Sequence, residues 1–214
     1  MHRAVVLISG TGRNLQAIID AIAARRLALD LRLVLADRPA AGLARAEAAG
    51  VATSLLRPGG RDRAAYGRQL ADVLDAEAPD LVVLAGFLRI LDSAFVQHYS
   101  GRIVNIHPSL LPRHRGLDTH RRALAAGDAR HGATVHFVTT ELDAGPALIQ
   151  GSLAVASNDT PQRLADRVME RVETRIYPQA LSWLAEGRAD WHQGRARLDG
   201  QTLKEPEHVD CDSS

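Results

Sequence analysis

One cysteine in 214 residues leaves no partner for an intramolecular disulfide and no thiolate set for a structural zinc. That cysteine, Cys211, sits in the polar stretch EPEHVDCDSS. A chain without disulfides suits a reducing compartment, and the cytoplasm is the simplest expectation. An excess of charge is also missing. The chain carries 26 Lys and Arg against 25 Asp and Glu, a net +1, so it has no electrostatic footprint for nucleic acid or an anionic membrane. Long apolar runs are absent too. LVVLAGFL, Leu81 to Leu88, falls far short of the roughly 20 residues that span a bilayer. The opening MHRAVVLISG lacks the apolar core and cleavage site of a secretory signal. Repeats, linkers and low-complexity blocks are not found.

What is present reads as one α/β domain. Hydrophobic residues make up 46% and charged residues 24%, ordinary for a globular chain with a full core. Short Val/Ile/Leu runs read as strands at Arg3–Ser9, Leu31–Asp37, Ala52–Leu56, Asp80–Gly86 and Arg102–His107. Between them lie amphipathic helices. Asn14–Arg26 places Leu15, Ile18, Ile19 and Ile22 on one face, and Arg63–Ala78 turns Tyr66, Leu70, Val73 and Leu74 inward. This alternation predicts a mostly parallel, twisted sheet with helices on both faces, Rossmann-type in its N-terminal half. The pattern then changes. GATVHFVT and PALIQGSLAVA, joined by ELDAGP, are too close for a parallel crossover and predict an antiparallel addition. A long helix is expected from Thr160 to Glu186 with a bend near Pro178. A short polar β-like piece, WHQGRARLDG, follows. The domain is expected over residues 1–204, with 205–214 a disordered tail.

Three stretches carry candidate chemistry. SGTGRN, Ser9–Asn14, joins the first strand to the first helix. Glycines let backbone approach a ligand there, and free helix N–H groups favour an anion. The third glycine of the dinucleotide fingerprint is replaced by Leu15, which disfavours a nicotinamide site and leaves a small phosphate ligand or a plain turn. NIHPSLLP puts Asn105 and His107 on the same strand face, where an amide can donate to an oxyanion and an imidazole can hold a proton. A capped loop with satisfied side chains is the bland alternative. ELDAGP holds Asp143, either an ordinary turn residue or a carboxylate facing His107. His114, His120, His131 and His136 match no zinc spacing, so no metal is expected. His136 alternates with Val135 and Phe137 and could face a cleft. RHRG, Arg113–Gly116, could contact an anion but reads first as a solvated loop.

Together VVLISGTGRNLQAIIDA, DLVVLAGFLRIL, RIVNIHPSLLP, THRRAL, HGATVHFVTTELDAGP and IYP resemble the phosphoribosylglycinamide formyltransferase family, in order, from Val5 to about Gly200. HPSLLP alone is shared by other formyl-folate enzymes; the combination is specific. The resemblance implies formyl transfer from 10-formyltetrahydrofolate, as co-substrate, to the amine of glycinamide ribonucleotide in purine biosynthesis. It implies Asn105, His107 and Asp143 as catalytic groups. Gly12, Arg13, Asn14 and Glu173 match ribonucleotide-binding positions. Arg63, Leu88, Arg89, Ile90, Leu91 and Asn105 match folate-contacting ones. Several members carry serine where this chain has Arg13. Small-molecule substrates, a monomer or weak homodimer, and no nucleic-acid, membrane, metal or nicotinamide partner are further expectations. Rival readings are a formyltetrahydrofolate hydrolase, expected to carry an extra N-terminal domain, and a formyltransferase acting on tRNA, expected to carry a further C-terminal one. A non-catalytic folate-binding module is disfavoured by the three polar catalytic positions.

Overall fold

The computed structural model describes residues 1–212. The elements run β1 (His2–Ile8), α1 (Arg13–Ala23), β2 (Leu29–Ala36), α2 (Gly42–Ala48), β3 (Ala52–Leu55), α3 (Arg63–Asp75), β4 (Leu81–Leu84), α4 (Ser93–His98) and β5 (Ile103–His107). Then come α5 (Thr119–Ala125), β6 (Arg130–Phe137), β7 (Ala147–Ala154), α6 (Pro161–Val168), a π-helical turn (Met169–Glu173) and α7 (Thr174–Ala185). The chain closes on β8 (Ala189–His192), β9 (Arg195–Leu198), β10 (Gln201–Thr202) and β11 (Glu207–Asp210).

The main sheet has the order β11-β7-β6-β5-β4-β1-β2-β3, and only β6 runs against the rest. At the centre of the sheet, β4 and the Ala4–Ile8 part of β1 are apolar throughout because both faces are covered. Ala4, Val6 and Ile8 enter one core with Leu15, Ile18, Ile176 and Leu181. Val5 and Leu7 enter another with Tyr66, Leu70, Phe95 and Tyr99. The period of two thus sorts one continuous run into two cores. Strand order reverses at β1, with β4 on one side and β2 on the other. The carboxyl ends of parallel strands open a crevice at such a point.

The structure departs from the sequence reading in four places. The expected disordered tail is an edge strand: β11 pairs in parallel with β7, from Glu207 opposite Ile149 to Asp210 opposite Ser152. Cys211 behind it is fully buried, and Arg130 pairs with Asp210 at 2.9 Å and Asp212 at 2.8 Å. A polar segment folds here because sheet pairing satisfies its backbone and a neighbouring arginine neutralises its acids. Ser213 and Ser214 of that expected tail lie outside the described residues. The single helix over Thr160–Glu186 is α6 and α7 joined through the π-helical turn. That turn lies just upstream of Pro178, whose missing N–H leaves the Thr174 carbonyl without its usual helical donor. Short helices α4 and α5 were not anticipated. Asp92 caps α4, its side chain accepting from the Phe95 N–H. Lastly, the polar β-like piece forms a separate three-stranded sheet, β10-β9-β8. Among the described residues no helix is long and apolar enough to cross a membrane.

Candidate active site

Asn105 and His107 project from the carboxyl end of β5 on one face. The antiparallel register with β6 sets His136 opposite Asn105 and Thr134 opposite His107. Four polar side chains therefore line one patch, while Val104, Ile106, Val135 and Phe137 pack into the core behind them. Thr134 fixes the loop that leaves β5. Its hydroxyl donates to the Ser109 carbonyl at 2.7 Å and accepts from the Leu111 N–H at 3.0 Å. Gln150 on β7 donates to the Leu111 carbonyl at 2.7 Å.

Asp143 reaches this patch from the turn before β7, with a left-handed backbone at φ 48°. The turn lies tight against β6. A Cβ on Gly145 would stand 1.8 Å from the Phe137 carbonyl oxygen, so only glycine fits. Asp143 Oδ2 lies 3.4 Å from His107 Nδ1, and both side chains are nearly buried. The same oxygen accepts the Gly116 N–H at 2.9 Å. His107 Nε2 lies 3.1 Å from the His114 carbonyl oxygen. A carbonyl only accepts, so Nε2 carries a proton. Both ring nitrogens thus face an oxygen atom.

His136 plays a different part. Its Nδ1 donates to the Phe137 carbonyl at 2.9 Å, so Nε2 holds the lone pair and accepts from Asn105 Nδ2 at 3.3 Å. Burial holds the His136 pKa below the usual histidine value, which preserves this neutral form. A neutral His136 therefore orients the Asn105 amide.

The loop after β1 builds a second region. Helix α1 starts at Arg13 with no side-chain cap and no acid in its first turn, leaving free N–H groups and the positive end of the helix dipole. Gly10 has open space where a Cβ would stand. Gly12 is different. Its φ is 72°, and a Cβ would meet Gly42 Cα at 2.8 Å, so its first duty is packing α1 onto α2. Arg13 turns aside to Asp166 at 3.0 Å on the exposed surface. Asn14 and Glu173, both buried, meet at 2.6 Å, with Asn14 Nδ2 donating. Burial pushes the Glu173 pKa up, and Asn14 Oδ1 has no hydrogen-bond partner. Tyr177, from IYP, anchors the same helical segment by donating to the Leu84 carbonyl at 2.9 Å.

Leu84 pairs with Asn105 across β4 and β5, so the loop after β4 begins beside the Asn105 patch. Leu88 and Ile90 are 65% and 55% exposed there. The Leu88 N–H donates to Ser9 Oγ at 2.9 Å, joining this loop to the β1 loop. Arg89 lies over the Tyr66 ring at 4.9 Å. Leu91 instead packs against the core with Tyr66 and Phe95, and Arg63 opens α3 exposed to solvent. The structure thus brings together Asn105, His107 and Asp143, and separately Asn14 and Glu173.

The sequence profile of a family described as formyl transferase matches residues 2–181. The chain belongs to the formyl transferase family. It is 51% identical over 201 residues to the phosphoribosylglycinamide formyltransferase of Escherichia coli strain K12, covering 93% of this chain and 94% of that one. The Haemophilus influenzae protein of the same name is 40% identical over 205 residues, covering 95% and 96%. Among solved structures, a phosphoribosylglycinamide formyltransferase from Coxiella burnetii in complex with CHES superposes with a TM-score of 0.92. It is 47% identical, and the match covers 97% of this chain and 99% of that one. The structural match therefore extends over almost the whole molecule.

Sequence reasoning passed over Asp128 and left His114 in a solvated loop. Yet His114 Nε2 meets Asp128 Oδ2 at 2.7 Å, with side chains 11% and 5% exposed. The clue was available: a histidine and an acid flank THRRAL, and loop acids bordering a site are seldom idle.

Proposed function

We propose that this chain transfers the formyl group of 10-formyltetrahydrofolate to the amine of glycinamide ribonucleotide. The observation that carries the reading is the convergence of Asn105, His107 and Asp143 from β5 and the 141–146 turn. On the same parallel sheet, the α1 N-terminus after β1 has no side-chain cap and no acid in its first turn, which suits an anion.

Attack of the amine on the formyl carbon develops negative charge on the formyl oxygen. Asn105, its amide oriented by His136, donates to that oxygen. His107 Nδ1 stands 3.4 Å from Asp143, longer than a hydrogen bond, so its proton can be shared with substrate. Asp143 balances the imidazolium charge and helps take the amine proton; collapse of the adduct then breaks the bond between the formyl carbon and N10 of the folate, which takes up that proton and leaves as tetrahydrofolate. No covalent enzyme intermediate is needed. The ribonucleotide phosphate binds at the start of α1 against Gly10–Asn14. Its ribose hydroxyls meet Glu173 and supply the donor that Asn14 Oδ1 lacks. The folate lies against the exposed apolar loop at Leu88–Ile90, with Arg89 at its edge. The chain's single cysteine suits the reducing cytoplasm.

The test is conversion of both substrates by purified protein, with product identified by mass. Formylated ribonucleotide is expected. Formate released with no formylated ribonucleotide would overturn the reading in favour of a hydrolase. In the same assay, His107→Ala and Asp143→Asn should each lower kcat by about 10²–10⁴-fold with smaller changes in KM. Near-parental turnover in either variant would remove that residue from the mechanism.

A further inference from the structure

One short loop holds both members of the His107–Asp143 pair. The His114 carbonyl accepts from His107 Nε2 at 3.1 Å, and the Gly116 N–H donates to Asp143 Oδ2 at 2.9 Å. A shift of this loop moves both groups at once. It is also under strain, since His114 is a non-glycine residue at φ 55°. Such a backbone persists only where its surroundings over-determine it.

Side-chain contacts of His114, Arg113 and Ser109 hold it in place. The His114 ring turns inward to Asp128, Nε2 to Oδ2 at 2.7 Å. Asp128 precedes β6, and its N–H donates to the Ala123 carbonyl of α5 at 3.1 Å. Its other oxygen takes the Arg113 guanidinium. Ser109 Oγ donates to the Arg113 carbonyl at 2.7 Å. The other ion pairs of the loop, Arg115 with Glu141 and Asp118 with Arg121, are on the exposed surface and contribute little. Thr134 and Gln150 hold the start of the loop at Ser109 and Leu111, and Arg122 donates to the Arg115 carbonyl; His114–Asp128 is the buried side-chain tie at the residue whose carbonyl faces His107.

We infer that His114 and Asp128 are positioning residues for formyl transfer, their side-chain contact setting the His114 carbonyl and Gly116 amide that aim His107 and Asp143. The inference rests on His107 and Asp143 being the reacting pair. Neither His114 nor Asp128 need touch substrate. Misplacement of reacting groups by an ångström can cost about 10²-fold, so an effect on turnover rather than on binding is expected.

Steady-state kinetics on His114→Leu, Asp128→Ala, the double variant and the conservative His114→Gln test this. His114→Leu and Asp128→Ala should each lower kcat about tenfold or more, with both KM values within about twofold of parent. Glutamine reaches Asp128 with an N–H donor, so His114→Gln should recover kcat to within about threefold. The double variant should lose no more than the worse single one, because both act through one contact. A merely structural role would predict no rescue by glutamine and additive losses. Should His114→Leu not fold, His114→Asn, polar but too short to reach Asp128, replaces it against His114→Gln. The proposal is overturned if kcat of the His114→Leu or His114→Asn protein stays within about twofold of parent, if KM alone rises, or if glutamine does no better. His107→Ala, run in parallel, separates the two layers. Full turnover there would sink the site assignment itself. Lost turnover there with an unaffected His114 variant would sink the positioning role alone.

Discussion

Glu173 sets two demands against each other at a single residue. It is 4% exposed, and burial raises its pKa. The folded protein therefore holds its proton to higher pH than the unfolded chain, whose value is 4.5. Stability attributable to this group is present at low pH and falls as pH rises above 4.5 through the folded value. Glu173→Gln removes that cost, and its amide can both accept from Asn14 Nδ2 and donate to the unpartnered Asn14 Oδ1. At pH 8 the variant should melt about 2–4 °C above parent, the shift that on the order of 1 kcal/mol makes in a chain of this size. Ribonucleotide KM should rise about tenfold if the carboxylate meets ribose hydroxyls. Thermal melts at pH 5 and pH 8 check the first part; a gain confined to pH 5 would contradict it. The two glycines of the β1 loop separate along similar lines. Gly12→Ala forces a Cβ onto Gly42 at φ 72° and should cost about 1–3 kcal/mol of stability. Gly10→Ala meets open space. It should leave Tm unchanged while raising ribonucleotide KM several-fold, and unchanged KM would move the phosphate elsewhere.

At the scale of elements, β11 is the part whose removal is most informative. It covers the edge of β7 and buries Cys211. Burial also raises the thiol pKa, so in the folded protein Cys211 should resist a thiol reagent at pH 8 and react fully in denaturant. Rapid labelling of native protein would show that the strand detaches. A chain ending at Pro206 uncovers the β7 edge, a template for pairing with other chains. It should melt several degrees lower and aggregate more readily, while kcat stays close to parent because none of the groups assigned to the reaction lies on β11. The π-helical turn is the other element with a clear consequence. Glu173 is its last residue, and the wider turn sets which direction its carboxylate takes toward Asn14 across the α1–α7 packing.

For the whole molecule, pH acts mainly through buried histidines. Burial lowers the His131 pKa from 6.5 to about 4, and burial likewise lowers those of His120 and His136. Between those values the unfolded chain binds more protons than the folded one, so stability falls as pH drops from about 6.5 toward 4. His131 alone corresponds to a loss on the order of 3 kcal/mol over that window. Glu173 works in the opposite direction, but as one group against three. Urea midpoints measured from pH 7.5 down to pH 4.5 should decline; a midpoint that rises on acidification would refute this balance.

Much of this architecture can be read from one dimension. Continuous runs such as VVLI imply strands covered on both faces, because a period of two sends neighbours to opposite cores, as Val5 and Val6 show. The same period puts Asn105 and His107 on one face, and the two-residue spacing is enough to know it. The motif resemblance supplied Asp143 and Glu173 as partners across the chain; spacing alone left each open to a plainer role. Tertiary structure decided the rest. EPEHVDCDSS is polar, and polarity alone gives no reason to expect a strand; an unpaired β7 edge and Arg130 provide one. Gly12 looks like a ligand-contacting glycine, but Gly42 Cα is what leaves no room for a side chain. His114 and Asp128 acquire their place through the backbone carbonyl of one residue and the backbone amide of another. Every residue but proline carries both of those groups, so no letter of the sequence marks the ones that face His107 and Asp143. Only the packing of α5 and β6 around the loop selects them.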